Sequence, residues 1–361
     1  FGRSLDPDTN GYTSESFEEG TVGLDMTLSL FEGFSRINQV RFRKMNKERS
    51  EWELKEKQNE LAYQVTDAYY KLILERKLLD LALEQSRLSE RYLKQTEVFV
   101  ELGLKSASDL QEVKARREGD IYRYQSRGNS SRIALLHLKQ LMNIQPGDTL
   151  AILDTITASQ VPPYSVSTVE TLYAQSIEIL PSIRMIDLKQ KAAHKEYAIA
   201  GGAFSPSVFA RFTVGSNYYN TAFSARQLRD NIGKYVGVGI SFPLLSGLQR
   251  LTNQRKLKLN MYRLKNEEEL EKQQLYTDIE QTLLSLHTGY SEHQQALSQL
   301  DAETLVLKES ERKWEEGLIS VFQLMEARNR FIAAKAELVR VRLQIEMMMK
   351  LEKYYRQGTF L

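Results

Sequence analysis

The sequence predicts a mainly α-helical chain in which one unit occurs twice: membrane-type β-strands leading into a long coiled-coil helical hairpin. Three observations predict it. Residues 22–38 (VGLDMTLSLFEGFSRIN) and 236–252 (VGVGISFPLLSGLQRLT) align without a gap at an offset of 214. Each segment opens with strict apolar–polar alternation. Each then runs into a long stretch, Phe34 to Leu102 and Leu248 to Glu316, with no proline and with Gly289 as its only glycine.

The repeat is sought first because missing it would misread the whole fold. Val22 aligns with Val236, Leu24 with Val238, Met26 with Ile240, Leu28 with Phe242, Leu30 with Leu244, Gly33 with Gly247 and Arg36 with Arg250. The offset holds further on, where LGLKSASDL (102–110) lies over EGLISVFQL (316–324). Gly103 meets Gly317, Leu104 meets Leu318, Ser106 meets Ser320 and Leu110 meets Leu324. A register unbroken over that distance marks a rigid element, since loops accept insertions readily.

Alternation defines the strands. Val22, Leu24, Met26, Leu28 and Leu30 share one face, with Gly23, Asp25, Thr27 and Ser29 on the other; Val236, Val238, Ile240, Phe242 and Leu244 repeat this opposite Gly237, Gly239 and Ser241. About 9–11 such residues suffice for a tilted transmembrane strand. Val208, Ala210, Phe212 and Val214 form a further strand with Arg211 and Thr213 on its polar side. Tyr218, Tyr219 and Tyr235 sit near strand ends, where an aromatic girdle is expected. Alternation alone equally describes a soluble sandwich with one wet face.

The helices follow. Tyr276, Ile279, Leu283, Leu286, Tyr290, His293, Leu297, Leu300, Thr304, Leu307, Glu311 and Trp314 step alternately by four and three. Leu324, Ala327, Phe331, Ala334, Leu338, Val341, Ile345 and Met348 do the same on the return. A seven-residue repeat predicts left-handed supercoiling of packed helices. A helix from Phe34 to Leu102 reaches about 100 Å, and its return from Ser106 to Asn143 only about 57 Å. A second ascending helix, Ser182 to Ala200, adds about 28 Å. The segment between them holds Pro146, Pro162, Pro163 and Pro181 and reads as an equatorial girdle. The predicted divisions are 1–33, incomplete first-copy strands; 34–143, a hairpin with its tip near 103; 144–181, the equatorial segment; 182–202, the ascending helix; 203–246, second-copy strands; and 247–357, a hairpin with its tip near 317.

Composition excludes several classes. The 361 residues carry a net charge of only +2, which argues for no nucleic-acid partner. There is no cysteine, hence no disulfide scaffold, thiolate metal site or cysteine nucleophile. No stretch of 18 apolar residues offers a transmembrane helix, so any membrane crossing rests on strands. His287 and His293 stand six apart, not the four of a helical metal pair. Asp6, Asp8, Asn10 and Gly11 open like a calcium loop, but position twelve is Phe17 and no helix flanks them. No catalytic motif, cofactor site or metal site is read.

Together these features resemble the TolC-like outer-membrane efflux family. The most specific parts are LFEGFSRINQ, PLLSGLQRLTN and the paired Gly-Leu turns; FGRSLDPDTN looks like members from Bacteroidota. The resemblance implies a homotrimer closing a 12-stranded β-barrel continued by an α-helical tunnel. It implies the exit duct of a tripartite efflux or type I secretion system in a Gram-negative outer membrane, extending into the periplasm. Such a duct is passive: an inner-membrane pump supplies the energy and a periplasmic adaptor, or membrane fusion protein, joins the two. By the 214 offset Phe1 falls on Gly215, so an N-terminally truncated first copy is expected.

Site residues follow from the resemblance. Gly103, Leu104, Ser106, Gly317, Leu318 and Ser320 occupy the tips where family members dock the adaptor, or they make plain helix–helix turns. Asp109, Trp314, Gln323 and Glu326 fall at the tunnel gate. Trp314 stands where a tyrosine often links to the position of Asp109, and Gln323 replaces an acid; an exposed helix carboxylate is the plainer reading of Glu326. Arg36, Arg41, Lys44 and Arg49 lie over Arg250, Arg255, Lys258 and Arg263, basic clusters suited to outer-membrane lipid headgroups or to a solvated helix face. A soluble periplasmic coiled-coil scaffold or adaptor is the competing reading of the whole chain.

Overall fold

The computed structural model describes residues 4–5, 9–13, 18–153, 160–161, 167–220, 225–244 and 248–360. In chain order these form β1 (Ser4–Leu5), β2 (Tyr12–Thr13), β3 (Glu18–Glu32), α1 (Ser35–Glu101), α2 (Ala107–Leu141), α3 (Val169–Ile179), α4 (Pro181–Gly202), β4 (Ser207–Asn220), α5 (Ala225–Asp230), β5 (Gly233–Ser241), α6 (Gln249–Glu315) and α7 (Val321–Gln357). Two compact units result. One comprises residues 1–50 and 186–267, the other 51–185 and 268–361.

The first unit is built on an antiparallel sheet of order β3-β4-β5, with β1 and β2 pairing separately. Met26 stands opposite Phe212 and Phe212 opposite Val236; Leu28, Ala210 and Val238 line up likewise. The apolar face expected from alternation is thereby continuous across three strands. It is also exposed: Leu24, Met26 and Leu28 keep about 60% of their surface and Val236 and Val238 over 70%. On the other face Thr213 donates to Asp25 at 2.7 Å and Arg211 lies 3.7 Å from the same carboxylate. A bulge between Ser29 and Phe31 shifts the register of β3, after which Phe31 and Glu32 pair with Val208 and Ser207.

Two aromatic rings occupy the polar face. The Tyr235 phenol folds back over Gly237, and a Cβ on Gly239 would meet the Phe209 ring at 2.5 Å. This corrects the girdle expectation for Tyr235: its Cα partner is Thr213, which puts it on the face of Asp25. The side chains of Tyr218 and Tyr219 lie outside the described residues.

Where β3 turns into α1, Gly33 (φ 57°) and Phe34 (φ 62°) are both left-handed, and Leu248 (φ 63°) precedes α6 in the same conformation. Gly33 also touches α4: a Cβ on it would stand 2.5 Å from the Gly202 carbonyl, and one on Gly202 2.7 Å from the Gly33 carbonyl. Ser35 ties the joint by donating to the Ile199 carbonyl at 3.2 Å. Gly247 and the calcium-like Asp6 and Asp8 lie outside the described residues.

The second unit is a helical bundle. The heptad seam forms its core, with Ile279, Leu286, Leu324, Ala327, Ala334, Leu338, Val341 and Ile345 at most 3% exposed. His293 is buried on the same seam, while Thr304 is exposed. Each fully buried Leu or Ile contributes about 1.5–3 kcal/mol, so packing rather than intrinsic propensity holds these helices.

Residues 167–181, at the end of the predicted equatorial segment, are more regular than its prolines suggested. α3 lies within it and buries Leu172 against Leu275, Ile279 and Tyr355. Thr168 caps it, and Leu180 is extended because Pro181 follows and opens α4. The Thr168 cap and the Val169–Leu172–Tyr173–Ser176 spacing were the available signal. α5, six residues between β4 and β5, was likewise absent from the strand-only reading of 203–246.

Candidate functional site

The two hairpin tips share one turn geometry. At the first, Gly103 N–H donates to the Val100 carbonyl at 3.0 Å and Leu104 N–H to the Phe99 carbonyl at 2.8 Å. At the second, Gly317 donates to Trp314 at 3.0 Å and Leu318 to Lys313 at 2.8 Å. This pair of bonds closes a helix through a left-handed glycine, and φ is 72° at Gly103 and 76° at Gly317. A Cβ would meet nothing within 4 Å at either glycine, so conformation alone selects it. Leu104 and Leu318 are left 66% and 69% exposed.

Reciprocal capping starts each return helix. Ser106 accepts from Asp109 N–H at 3.1 Å while its own N–H donates to the Asp109 carboxylate at 2.9 Å. Ser320 and Gln323 repeat the arrangement at 3.3 and 3.1 Å. Asp109 and Gln323, expected at the gate, are thus engaged in caps. The bonds from the Ser106 backbone and hydroxyl hold the Asp109 carboxyl below its ordinary value. A depressed carboxylate stabilises the fold above its ordinary pKa and stops doing so as pH falls through the folded value. Acidification below 3.8, the ordinary aspartate value, is therefore expected to lower amide-exchange protection at Ala107–Leu110. Protection at Val321–Leu324, capped by the non-titrating Gln323, is expected to hold. Equal loss at both tips would contradict this account.

Trp314 stands where a tyrosine often links to the position of Asp109. It is 1% exposed and packs on Tyr92 (5.2 Å, edge-on) and Phe99 (5.7 Å) in a cluster with Val113, Val321, Leu324 and Met325. The bulkier indole has been drawn into the core, where its apolar surface is removed from water. Glu326 is exposed and pairs with Arg330 at 3.1 Å; Arg330 also reaches Glu303 at 3.4 Å.

Beneath the tips lies a buried polar network that sequence reasoning missed. Arg328 is 1% exposed and donates to the Gln85 carbonyl at 2.5 Å and to Ser89 Oγ at 3.4 Å. Ser89 donates in turn to Asp120, and Gln85 Nε2 reaches the other Asp120 oxygen at 2.9 Å. The Tyr92 ring lies 5.6 Å from the guanidinium and its hydroxyl donates to Glu311 at 2.8 Å. Burial lowers the Arg328 pKa, opposed by Tyr92 and Asp120, and burial with the Glu311 bond raises that of Tyr92. The only sequence signal was an arginine beside a seam alanine, which reads as a solvated flank.

The basic residues all fall in the first unit. Arg36 pairs with Glu32 at 3.2 Å, and Arg263 with Glu267 at 3.9 Å and Asn260 at 3.0 Å. Arg41, Lys44, Arg255 and Lys258 are exposed, among Ile37, Val40, Leu259 and Tyr262, which are at least half exposed. Arg49 and Arg250 are half-buried.

The family model for outer membrane efflux proteins matches residues 1–143 and 172–347. The chain belongs to the outer membrane efflux protein family. Its fold is shared with solved channels at low identity. The Campylobacter jejuni CmeC outer membrane channel superimposes with a TM-score of 0.80 at 13% identity, covering 95% of this chain and 77% of that one. The outer membrane protein VceC of Vibrio cholerae gives 0.78 at 14%, covering 96% and 88%. The open-state MtrE outer membrane channel of Neisseria gonorrhoeae gives 0.75 at 16%, covering 96% and 81%. No curated protein matches. Family membership makes the chain an outer-membrane efflux channel protein that extends into the periplasm. The scaffold alternative is not favoured.

Proposed function

We propose that the chain is one protomer of a homotrimeric exit duct, working with a periplasmic adaptor and an inner-membrane pump in a tripartite efflux or type I secretion system. The observation that carries this is the exposed apolar face shared by β3, β4 and β5. A sheet with such a face is at home in lipid, where unpaired strand edges are very costly. Among the described residues β3 and β5 each keep one edge without a partner. Closure therefore needs further strands, from the rest of the first copy and from other copies, and the inward face would carry Asp25, Arg211 and Thr213. The duct is passive, and the pump supplies the energy.

Within this reading the tips dock the adaptor. Leu104 and Leu318 are held outward by the left-handed glycines and the Ser106 and Ser320 caps, and an exposed leucine on a fixed turn suits an apolar partner groove. Substituting Leu318 by Ser, or Gly317 by Val, is expected to weaken adaptor binding about tenfold or more in a purified binding assay. Unchanged affinity would remove the tips from the docking site. Glu326 would contribute a ring of carboxylates at the gate, favouring cations, with Arg330 offsetting part of its charge. Gln323 leaves the neighbouring position uncharged, and Asp109 and Trp314 support the gate through the cap and the core.

The basic clusters would meet headgroups of the outer membrane's inner leaflet. Nanodiscs with anionic lipid should then raise the thermal midpoint of the parent more than that of an Arg41→Glu/Arg255→Glu variant. An equal rise would leave these residues as a solvated face.

A further inference from the structure

The Arg328 network offers something an apolar seam cannot. Along α7 the seam positions repeat every seven residues with interchangeable chemistry: Leu324, Phe331, Leu338 and Ile345 on one line, Ala327, Ala334, Val341 and Met348 on the other. If α7 and its hairpin partner slid one heptad, about 10 Å, along α1 and α2, apolar would still meet apolar. Small would still meet small at Ala327 and Ala334. Packing alone therefore discriminates poorly between neighbouring registers.

The polar residues discriminate sharply. Gln85, Ser89 and Tyr92 come from α1, Asp120 from α2, Glu311 from α6 and Arg328 from α7, so all four long helices meet there. Arg328, Ser89 and Asp120 are each 1% exposed. One heptad away Arg328's place is taken by Val321 or Lys335. The first leaves the Gln85 carbonyl and Ser89 without their charged donor, and Asp120 with only Arg123, 3.6 Å away on its own helix; the second replaces a fork of donors by a point charge. A buried polar group that loses its partner is unfavourable, and a buried guanidinium that loses its acceptors strongly so, whereas an intact buried charged network adds little beyond what apolar residues of equal size would give. Even in place the network is imperfect, because Arg328 Nε and Trp314 Nε1 have no hydrogen-bond partner among the described residues. These are the properties of a device that selects one arrangement rather than one that maximises stability.

We propose that the Arg328–Ser89–Asp120–Gln85 network is a register lock that fixes the α6–α7 hairpin against the α1–α2 hairpin. The claim does not rest on the channel reading. It is tested in the full-length protein in detergent, which the lack of cysteine in this sequence makes convenient to label. Spin labels go on Glu84→Cys and Lys335→Cys, surface residues of α1 and α7 whose side chains meet at 3.1 Å. Two variants are compared with the labelled parent: Arg328→Met/Asp120→Leu, which makes the site apolar, and Arg328→Gln/Asp120→Asn, which keeps hydrogen bonding without charge. The apolar variant is expected to melt at or above the parent's midpoint yet show a second distance population, displaced by up to about 10 Å. The polar variant is expected to keep the single parental distance. A parental distance distribution in the apolar variant would overturn the lock. So would failure of either variant to fold, which would make the network a requirement of folding, and so would slippage of the polar variant.

Discussion

Met26→Arg is expected to abolish insertion of the protein into the outer membrane, while Thr27→Arg, one residue further on, is expected to be tolerated. The two positions differ only in the face of β3 they occupy. Met26 lies in the row Met26–Phe212–Val236 and is 59% exposed on the apolar side. Thr27 lies in the row Thr27–Arg211–Gly237, beside Asp25 on the polar side. An arginine on the lipid face of a membrane strand costs about 2–4 kcal/mol near the bilayer midplane. In an oligomer the cost recurs in every copy, so a trimer bears it three times. On the polar face a new arginine joins Asp25 and Arg211 in water. Membrane-fraction immunoblotting of the two variants checks this; equal insertion would mean that the apolar face does not meet lipid.

The second large effect is expected at the strand–helix joint. Gly33→Ala must hold an alanine at φ 57°, a conformation costing about 1–2 kcal/mol, and must also push its methyl into the Gly202 carbonyl 2.5 Å away. Such overpacking adds about 1–3 kcal/mol, because a backbone carbonyl inside a packed helix end cannot rotate aside. Gly202→Ala meets the same contact from the other side, at 2.7 Å from the Gly33 carbonyl, without the dihedral cost. The double variant should then be less destabilised than the sum of the singles, since both disrupt one contact. Thermal melts of the three variants decide it. Gly119→Ala is a control, since a Cβ there meets nothing within 4 Å; a joint variant no worse than this control would show that the joint is soft.

Much of this was legible in the sequence because the repeat constrains it twice. Alternation marked the faces of β3 and β5, and the fixed offset marked both tips, whose Gly-Leu turns and Ser caps share the same main hydrogen bonds. The seam from Ile279 to Ile345 was readable because seven-residue spacing survives any tertiary detail. What escaped had a physical reason. Arg328 and Asp120 are charged residues whose burial depends on partners from four helices, and no local pattern reports such partners. Trp314 was placed by analogy with a tyrosine, yet the larger apolar surface of its indole packs on Tyr92 and Phe99 in the core, at the cost of an N–H left without a partner among the described residues. Tyr235 was read as a girdle residue from its nearness to a strand end, although its parity put it on the polar face. α3 was hidden by the prolines around it, one of which in fact opens the next helix.

The most direct test of the central claim, that the exposed apolar sheet is the lipid-facing wall of a duct, is planar-bilayer conductance of the purified full-length protein. The account predicts that the protein needs detergent to stay monodisperse, that it inserts to give discrete conductance steps, and that Met26→Arg removes them while Thr27→Arg does not. A protein monodisperse without detergent and silent in the bilayer would contradict it.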